Sequence, residues 1–413
     1  MDMTHHWCRT VFAAVLVGGL CWPPPATAEG SRVRLTSLPP REHVEIQLDH
    51  PTATLVAEER IVPLVEGRNQ IDFAWADQIG IDPQTMVFQV LHAQDGQPLT
   101  THVLSVSSPP NENALVWEVS ADRAAAARVR ISYLLEGLSS HFHYRALADE
   151  NEQTLRLSQY VRVENLAGEA FGPSHVHFSF ADVISRPIGS DETREMLVQR
   201  YEDVPIEKTF TAHVHEFGYL DEPQKRLRVP MHYLIHNDED HALGQRPLPF
   251  GKVRVFQHDG RGSTAFLGED WGEHTPVTQT MRLYLGLAQD VQVKRRIMER
   301  EEQEVAGNLS HYDIVVRYEI ENFRDQPTAL DIVEQVKKLR EEAGIHGQQE
   351  PEWEVLQGTT FDSRPDPERT DQATLVHRVE LPAREGDAAE PIIHELHIRF
   401  ANEWEPRIRP LPR

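Results

Sequence analysis

The sequence predicts a mainly β protein made of two antiparallel β-sandwich domains of immunoglobulin-like type, with little helix. Apolar and polar residues alternate through most of the chain, as in HVEIQLDH, ALVWEVS and RVRISY. Alternation with a period of two is typical of strands that pack on one face and meet water on the other. Turn-forming clusters such as EGRN, QDGQP and SSPPNEN separate these runs, as expected between antiparallel strands.

The first 28 residues have the pattern of a cleavable signal peptide. A short region containing Arg9 precedes the apolar run Val11–Trp22, and Ala26-Thr27-Ala28 has the form of an A-x-A cleavage site. The apolar run is too short to cross a bilayer, which takes ~20 residues. The sequence therefore predicts export to the periplasm or beyond, cleavage after Ala28, and a soluble mature chain without a membrane span.

Cysteine content and charge narrow the classes of function. Cys8 and Cys21 are the two cysteines of the chain, and both lie in the predicted signal peptide. The mature chain is therefore expected to have no disulfide and no thiolate chemistry. The formal net charge of −24 disfavours binding to nucleic acid or to anionic lipid.

A domain boundary is predicted where the alternation lapses, in ISRPIGSDETRE. It divides an N-terminal sandwich, residues 29–190, from a C-terminal sandwich, residues 191–413. The segments VRVENLAGEAFGPSHVHF and RYEIENFRDQPTALDIV share a strand, a Glu-Asn pair, a turn with proline and a second strand. They are candidates for equivalent hairpins in the two domains, although chance can also produce such a match. SADRAAAA and IVEQVKKLREEAG contain helix formers, and the second could equally be a strand that runs into a charged loop.

One segment, GRGSTA starting at Gly260, matches the dinucleotide-binding fingerprint. That fingerprint needs a helix after the glycines and an acidic residue about 20 positions further on. The following FLGEDWGEHTP has no helical period, and Thr280 and Met281 stand where the acid is expected. The sequence therefore predicts a hairpin turn, HDGRGS, between strands Val253–Gln257 and Thr264–Leu267, and no cofactor.

Three His-x-His pairs are the candidate metal ligands. Residues i and i+2 of a strand share a face, so each pair could chelate a metal ion together with a third ligand. Apolar residues alternate with these histidines, which predicts that the histidines face solvent, and nothing in the sequence shows that the pairs converge. The candidates are His141, His143, His175, His177, His213 and His215.

Other candidate sites are weaker. The acidic segments NDEDH, residues 237–241, and EDWGE, residues 269–273, lack the spacing of a calcium loop and are predicted to be solvated turns. No G-x-S-x-G nucleophile elbow is present, although a catalytic triad is defined by geometry rather than by sequence. Trp271 is the best candidate for a surface aromatic ring that stacks on a sugar or a peptide, with packing in a hairpin as the alternative.

The segment LPFGKVRVFQHDGRGSTAFLGEDWGEHTP, followed by MRLYLGLAQDVQV, resembles the hallmark region of the mucoidy inhibitor A-like family of bacterial proteins. The matching positions are Gly251–Val255, Phe266–Glu269, His274–Pro276 and Arg282–Gly286, and the likeness extends over most of residues 50–404. The chain resembles a short form, because it lacks the heptads of the coiled-coil insertion in longer members. The resemblance implies an exported protein rich in β-sandwich, brings no catalytic residues, and points to a shared domain of unknown function.

These observations predict a non-catalytic binding or scaffolding module of the periplasm or cell envelope, whose partner is an unknown envelope protein or a glycan. No catalytic or cofactor-binding residue is predicted. Two alternatives stay open. One is a metal-dependent or hydrolytic enzyme that uses the histidine-rich strands, and the other is a glycan-binding module that uses Trp271 and its neighbours.

Overall fold

The structure of the chain is a computed structural model. It describes residues 36–48, 50, 53–76, 79–179, 181–347, 349–361, 366, 369–384 and 391–404. The predicted signal peptide, residues 1–28, and both cysteines lie outside these residues. The protein is 63% strand and 5% helix, with several mostly antiparallel sheets, which confirms the mainly β prediction. The immunoglobulin-like type of the sandwiches stays a prediction.

The strands are short to medium in length, with a few long ones. In chain order they are β1 (Thr36–Ser37), β2 (His43–Gln47), β3 (Thr54–Leu64), β4 (Gly67–Ala74), β5 (Val87–Ala93), β6 (Thr101–Ser107), β7 (Ala114–Ala121), β8 (Ala125–Leu135), β9 (Leu138–Ala148), β10 (Thr154–Asn165), β11 (Phe171–Phe178), β12 (Ala181–Ile188), β13 (Glu192–Pro205), β14 (Glu207–Ala212), β15 (Tyr219–Asp221), β16 (Arg226–Leu227), β17 (Pro230–His236), β18 (Gly251–His258), β19 (Thr264–Gly272), β20 (Thr280–Leu287), β21 (Val291–Ala306), β22 (Leu309–Asn322), β23 (Thr328–Gln335), β24 (Glu352–Val355), β25 (Thr374–Leu381) and β26 (Ile392–Trp404).

The helices in the described residues are short. They are α1 (Val214–Phe217), α2 (Val336–Glu342) and two 3₁₀ turns, Pro83–Thr85 and Glu239–His241. Of the two interpretations of IVEQVKKLREEAG, each holds for a part: IVEQ belongs to strand β23, and VKKLREE forms helix α2. None of the helices in the described part of the chain has the length and hydropathy to cross a membrane.

The segment SADRAAAA, a candidate for a helical turn, does not form one, because strand β8 begins at Ala125. Ala127, Val129 and Ile131 alternate along β8 and are fully buried. Burial of these alternating side chains outweighs the helix propensity of the alanines.

The described chain forms two compact units. The first contains residues 36–40, 60–76 and 88–130, and the second contains residues 41–59, 79–87 and 131–404. Boundaries between the units fall within β3, β5 and β8. The domain boundary that the sequence predicts near residue 190 stays a prediction.

The first unit contains a four-stranded sheet with the order β1-β4-β7-β6, here called sheet A. Strand β4 pairs with β7 in antiparallel register, and Trp117 of β7 is 2% exposed. The Trp117 ring packs against the rings of Phe73 and Phe88, so this unit has an aromatic core of its own.

Two sets of eight strands in the chain have the same topology. Sheet B has the order β12-β11-β2-β3-β8-β5, and its first five strands match sheet D, which has the order β25-β23-β14-β17-β20. The partner sheets C and E contain the orders β13-β10-β9 and β26-β22-β21. Strand β11 pairs with β2 in parallel, and β23 pairs with β14 in parallel. Each strand of the first set therefore has a counterpart in the second, with the same neighbours and in the same chain order, as a tandem duplication would produce.

The Glu-Asn pairs noted in the sequence mark this correspondence. Asn165 ends β10 and Asn322 ends β22, and both are buried. The side-chain oxygen of each asparagine accepts a hydrogen bond from the backbone N–H two residues later, and its amide donates to the carbonyl four residues later. Each amide also donates to a distant carbonyl, that of Gly189 or of Pro382. The two segments are therefore equivalent corners in the two sets of strands.

Strands β18 and β19 form a hairpin inserted between β17 and β20. The hairpin joins sheet C, whose full order is β13-β10-β9-β18-β19, through a parallel pairing of β18 with β9. Buried residues of sheet C, such as Tyr144 and Val253, share one core with Tyr233 and Leu283 of sheet D. The other half of sheet D shares a second core with sheet E. The inserted hairpin is thus hydrogen-bonded into sheet C and packs against sheet D.

The GRGSTA segment is the tip of this hairpin, which confirms the turn prediction. Asp259 N–H donates to the Ser263 carbonyl, and the Asp259 carboxylate accepts from the backbone N–H groups of Arg261 and Ser263. Gly260 and Gly262 have φ values of 67° and 89°, a region that glycine adopts without steric cost. The two glycines therefore allow the backbone conformation that the turn requires.

Gly251 allows β18 to approach β9 closely. A Cβ atom on Gly251 would lie 2.4 Å from the backbone oxygen of Phe142, and this backbone is held in sheet C. We expect Gly251→Ala to lower the free energy of unfolding by about 1–3 kcal/mol, as for other overpacked sites. Gly172→Ala is the control, because a Cβ there meets nothing within 4 Å. Chemical denaturation of both variants is the measurement, and equal stabilities would contradict the prediction.

Candidate binding surface

The outer face of sheet C carries an exposed aromatic pair at its edge. Phe250 and Trp271 are 56% and 53% exposed, and their rings stack with centroids 5.1 Å apart and planes 4° apart. Lys252 lies opposite Trp271 in the β18–β19 ladder, and its Nζ is 5.1 Å from the Trp271 ring centroid. Trp271 is therefore held in place, while much of both rings stays open to solvent.

Three adjoining cavities meet at Phe250. The largest, of about 1560 Å³, extends from Phe250 and Trp271 over β17 and β20. A second, of about 690 Å³, and a third, of about 510 Å³, share Phe250, Phe142 and His141. Trp271 also lines the third cavity. Such adjoining concavities can hold an extended ligand on both sides of the aromatic pair.

The wall of the largest cavity contains a polar cluster. Arg282 Nη2 lies 3.2 Å from His232 Nδ1 and 3.2 Å from Thr211 Oγ1. Because a guanidinium group only donates, His232 Nδ1 accepts and the imidazole is neutral. Burial, together with the positive charge of Arg282, lowers the pKa of His232 to about 4. The cluster offers fixed donors beside the exposed ring of Tyr284.

The acidic segment EDWGE is not the solvated turn that the sequence predicts, because residues 269–272 belong to β19. Glu269 accepts a hydrogen bond of 2.8 Å from Lys252 and lies 3.3 Å from Arg254 Nε, and the Lys252 ammonium group lowers the pKa of this carboxyl. The Asp270 carboxylate accepts from the backbone N–H groups of Trp271 and Tyr284, which ties β19 to β20. These hydrogen bonds fix Lys252 and the backbone of Trp271 in the candidate surface. The other segment, NDEDH, does form a turn, in which Asp238 caps the 3₁₀ turn.

The candidate histidines of β9 lie on this surface. His141 is exposed, and His143 stacks on Tyr160 with centroids 5.3 Å apart and planes 10° apart. His143 Nε2 is 3.2 Å from Glu195 Oε2. The His143 side chain therefore contacts both an aromatic ring and a carboxylate of other strands of sheet C.

The other histidine pairs lie elsewhere. His175 and His177 are in β11, where the His175 ring centroid is 4.8 Å from that of His43. The prediction that His213 and His215 lie on the solvent face of a strand is wrong, because β14 ends at Ala212 and the chain turns into α1. His213 is 6% exposed and bonds Glu216 at 2.7 Å.

The three pairs therefore occupy three separate elements. Within the residues that the structure describes, no group of three or more His, Cys, Asp or Glu side chains is placed to hold a metal ion.

Several residues of the surface were not singled out by the sequence. Phe250 precedes the Gly251–Val255 strand as part of an ordinary LPF segment, and Arg282 and His232 come from strands that are separated by the inserted hairpin. The sequence signal available was that Phe250 and Arg282 lie within the segments that resemble the hallmark region, where no role was assigned to them.

The chain was compared with known protein families and with curated proteins. No family model matches the chain, and no curated protein matches it. The resemblance to the mucoidy inhibitor A-like family therefore stays a prediction.

Proposed function

We propose that the chain is an exported, non-catalytic binding module of the cell envelope, and that its ligand is a glycan. The observation that carries this proposal is the exposed Phe250–Trp271 stack at the point where three cavities meet. Apolar ring faces are suited to the C–H faces of sugar rings, and nearby donors and acceptors are suited to hydroxyl groups.

The polar groups around the aromatic pair favour a glycan over an apolar ligand. Arg282, His232 and Asp270 lie in the largest cavity, and Lys252 and Arg254 lie in the third. A ligand that replaced water here without forming hydrogen bonds would leave the remaining donors and acceptors of these groups without a partner, which is unfavourable. A polyhydroxylated ligand satisfies them.

The experiment is binding of the mature protein to a glycan array and to purified peptidoglycan sacculi. We expect Trp271→Ala to weaken binding by roughly 30-fold, which corresponds to about 2 kcal/mol for a central aromatic contact. Trp404→Ala is the matched control, because Trp404 is 42% exposed but lies at the end of β26 in sheet E.

Two results would count against the proposal. One is equal binding by both tryptophan variants. The other is release of shortened sugar products from a bound glycan, which would show catalysis.

A further inference from the structure

Sheet C carries two parallel rows of side chains that cross its strands. The first row consists of residues in register from β13 to β19: Leu197, Tyr160, His143, Lys252 and Trp271. It contains the His143–Tyr160 stack and ends at Trp271. Since all five are neighbours across the ladders, they share the outer face of the sheet.

The second row lies two residues further along each strand of β9 and β18 and is basic. Its members, again in register, are Arg200, Ser158, Arg145, Arg254 and Glu269. Three of the five are arginines, and all three arginines are exposed. With strands about 4.8 Å apart, the arginines span roughly 14 Å.

The positive charge of this row is only partly compensated. Arg254 has Glu269 as its partner, at 3.3 Å. Arg145 lies over the Phe256 ring at 4.9 Å, and neither Arg145 nor Arg200 forms an ion pair with any residue that the structure describes. Like charges directly opposite on neighbouring strands, as Arg145 and Arg254 are, destabilise a sheet. The chain has 65 acidic residues against 41 lysines and arginines, so carboxylates are not scarce.

We propose that the bound glycan is an acidic linear polymer that lies across the strands of sheet C, with sugar rings along the Tyr160–Trp271 row and anionic groups on Arg200, Arg145 and Arg254. This inference rests on the proposed glycan-binding function. Charge complementarity favours an acidic polymer over a neutral one. The arginine row supplies donors in the geometry that oxyanions accept. A bound anion also relieves the repulsion between neighbouring arginines.

The test compares polymers that differ only in charge. Polygalacturonate and its methyl ester share one backbone, and so affinity electrophoresis with each separates the contribution of the carboxylates from that of the rings. The wild-type mature protein is compared with the double variant Arg145→Gln/Arg254→Gln. Arg296→Gln in β21 is the control, an exposed strand arginine of sheet E.

We expect the wild type to bind polygalacturonate more tightly than the ester, with an affinity that falls as NaCl is raised. The double variant should lose at least roughly tenfold in affinity for polygalacturonate, because two charge-assisted contacts are removed, while its binding to the ester is unchanged. Its melting temperature should stay close to that of the wild type, because the removed repulsion offsets the loss of the exposed Arg254–Glu269 pair and of the Arg145–Phe256 contact. A merely structural role for the arginines would lower it.

The outcomes separate the two proposals. Equal wild-type binding to acid and ester, or undiminished acid binding by the double variant, overturns the acidic-polymer inference and leaves the glycan function standing. Failure of the wild type to bind either form also overturns the acidic-polymer inference, and the glycan function is overturned with it if the glycan array and the sacculi are unbound as well.

Discussion

Replacing Glu334 by glutamine is expected to lower the free energy of unfolding by about 3–5 kcal/mol, since the buried charge of Arg295 then loses its buried partner and keeps only Glu342, which is partly exposed. Glu334 is 2% exposed, and its carboxylate accepts from Arg295 Nε at 2.5 Å and from Arg295 Nη2 at 3.1 Å. Arg295 is 1% exposed, and the Tyr318 hydroxyl also donates to Glu334. This network lies in the core between sheets D and E.

Glu342→Gln is the matched control, because Glu342 also pairs with Arg295, at 2.9 Å, but is 34% exposed. Denaturant unfolding followed by circular dichroism and tryptophan fluorescence is the measurement. A loss of stability for Glu334→Gln no larger than that for Glu342→Gln would contradict the prediction.

The contribution of Glu334 to stability depends on pH. Burial raises the pKa of Glu334, but Arg295 and the hydrogen bonds outweigh this effect, and the pKa falls to about 2. The carboxylate's contribution is therefore present above pH 4.5 and is lost as the pH falls towards 2.

Acidification from pH 6.5 to pH 4 is expected to lower stability by about 3 kcal/mol through His232 alone. The pKa of His232 is lowered from 6.5 to about 4, by burial first and by Arg282 second. The unfolded chain therefore binds a proton in this range while the folded chain mostly does not, so the folded state loses stability as the pH falls, and the loss levels off below about pH 4. Comparison of wild type with His232→Gln at pH 7 and pH 4 isolates this contribution.

In the His232→Gln variant, the difference in unfolding free energy between the two pH values should be smaller by about that amount. His141→Gln, which removes an exposed histidine, should leave the difference close to that of the wild type. An identical pH dependence in wild type and His232→Gln would show that this imidazole is not protected from protonation.

The sequence predicts the local structure of this chain well, because side-chain alternation is a local property. Ile314, Val316, Tyr318 and Ile320 alternate in the sequence and are all buried in β22. The turn at Gly260 was equally readable, since Asp-Gly chemistry acts over a few residues. By contrast, EDWGE has the composition of a turn and lies in β19, because pairing with β18 decides its structure.

The candidate surface was only partly predictable. Trp271 was identified from its polar neighbours, but the arginine row was not, because Arg200, Arg145 and Arg254 are brought into register by pairings between distant segments. The prediction that His213 and His215 face solvent was wrong for a related reason. Their burial depends on Glu216 and on the core between sheets D and E rather than on the HVH pattern. The Glu-Asn similarity was a true signal of equivalent corners, although its meaning depends on hydrogen bonds that a sequence does not show.

The parallel pairing of β9 with β18 has a consequence for the order of folding. It joins residues 142–148 to residues 251–257, so its formation closes a loop of about a hundred residues. Contacts of such long range form slowly in β proteins. A nascent chain shorter than residue 272 could not present the two rows of side chains, and ligand capture by refolding protein would report the last steps of assembly rather than the first.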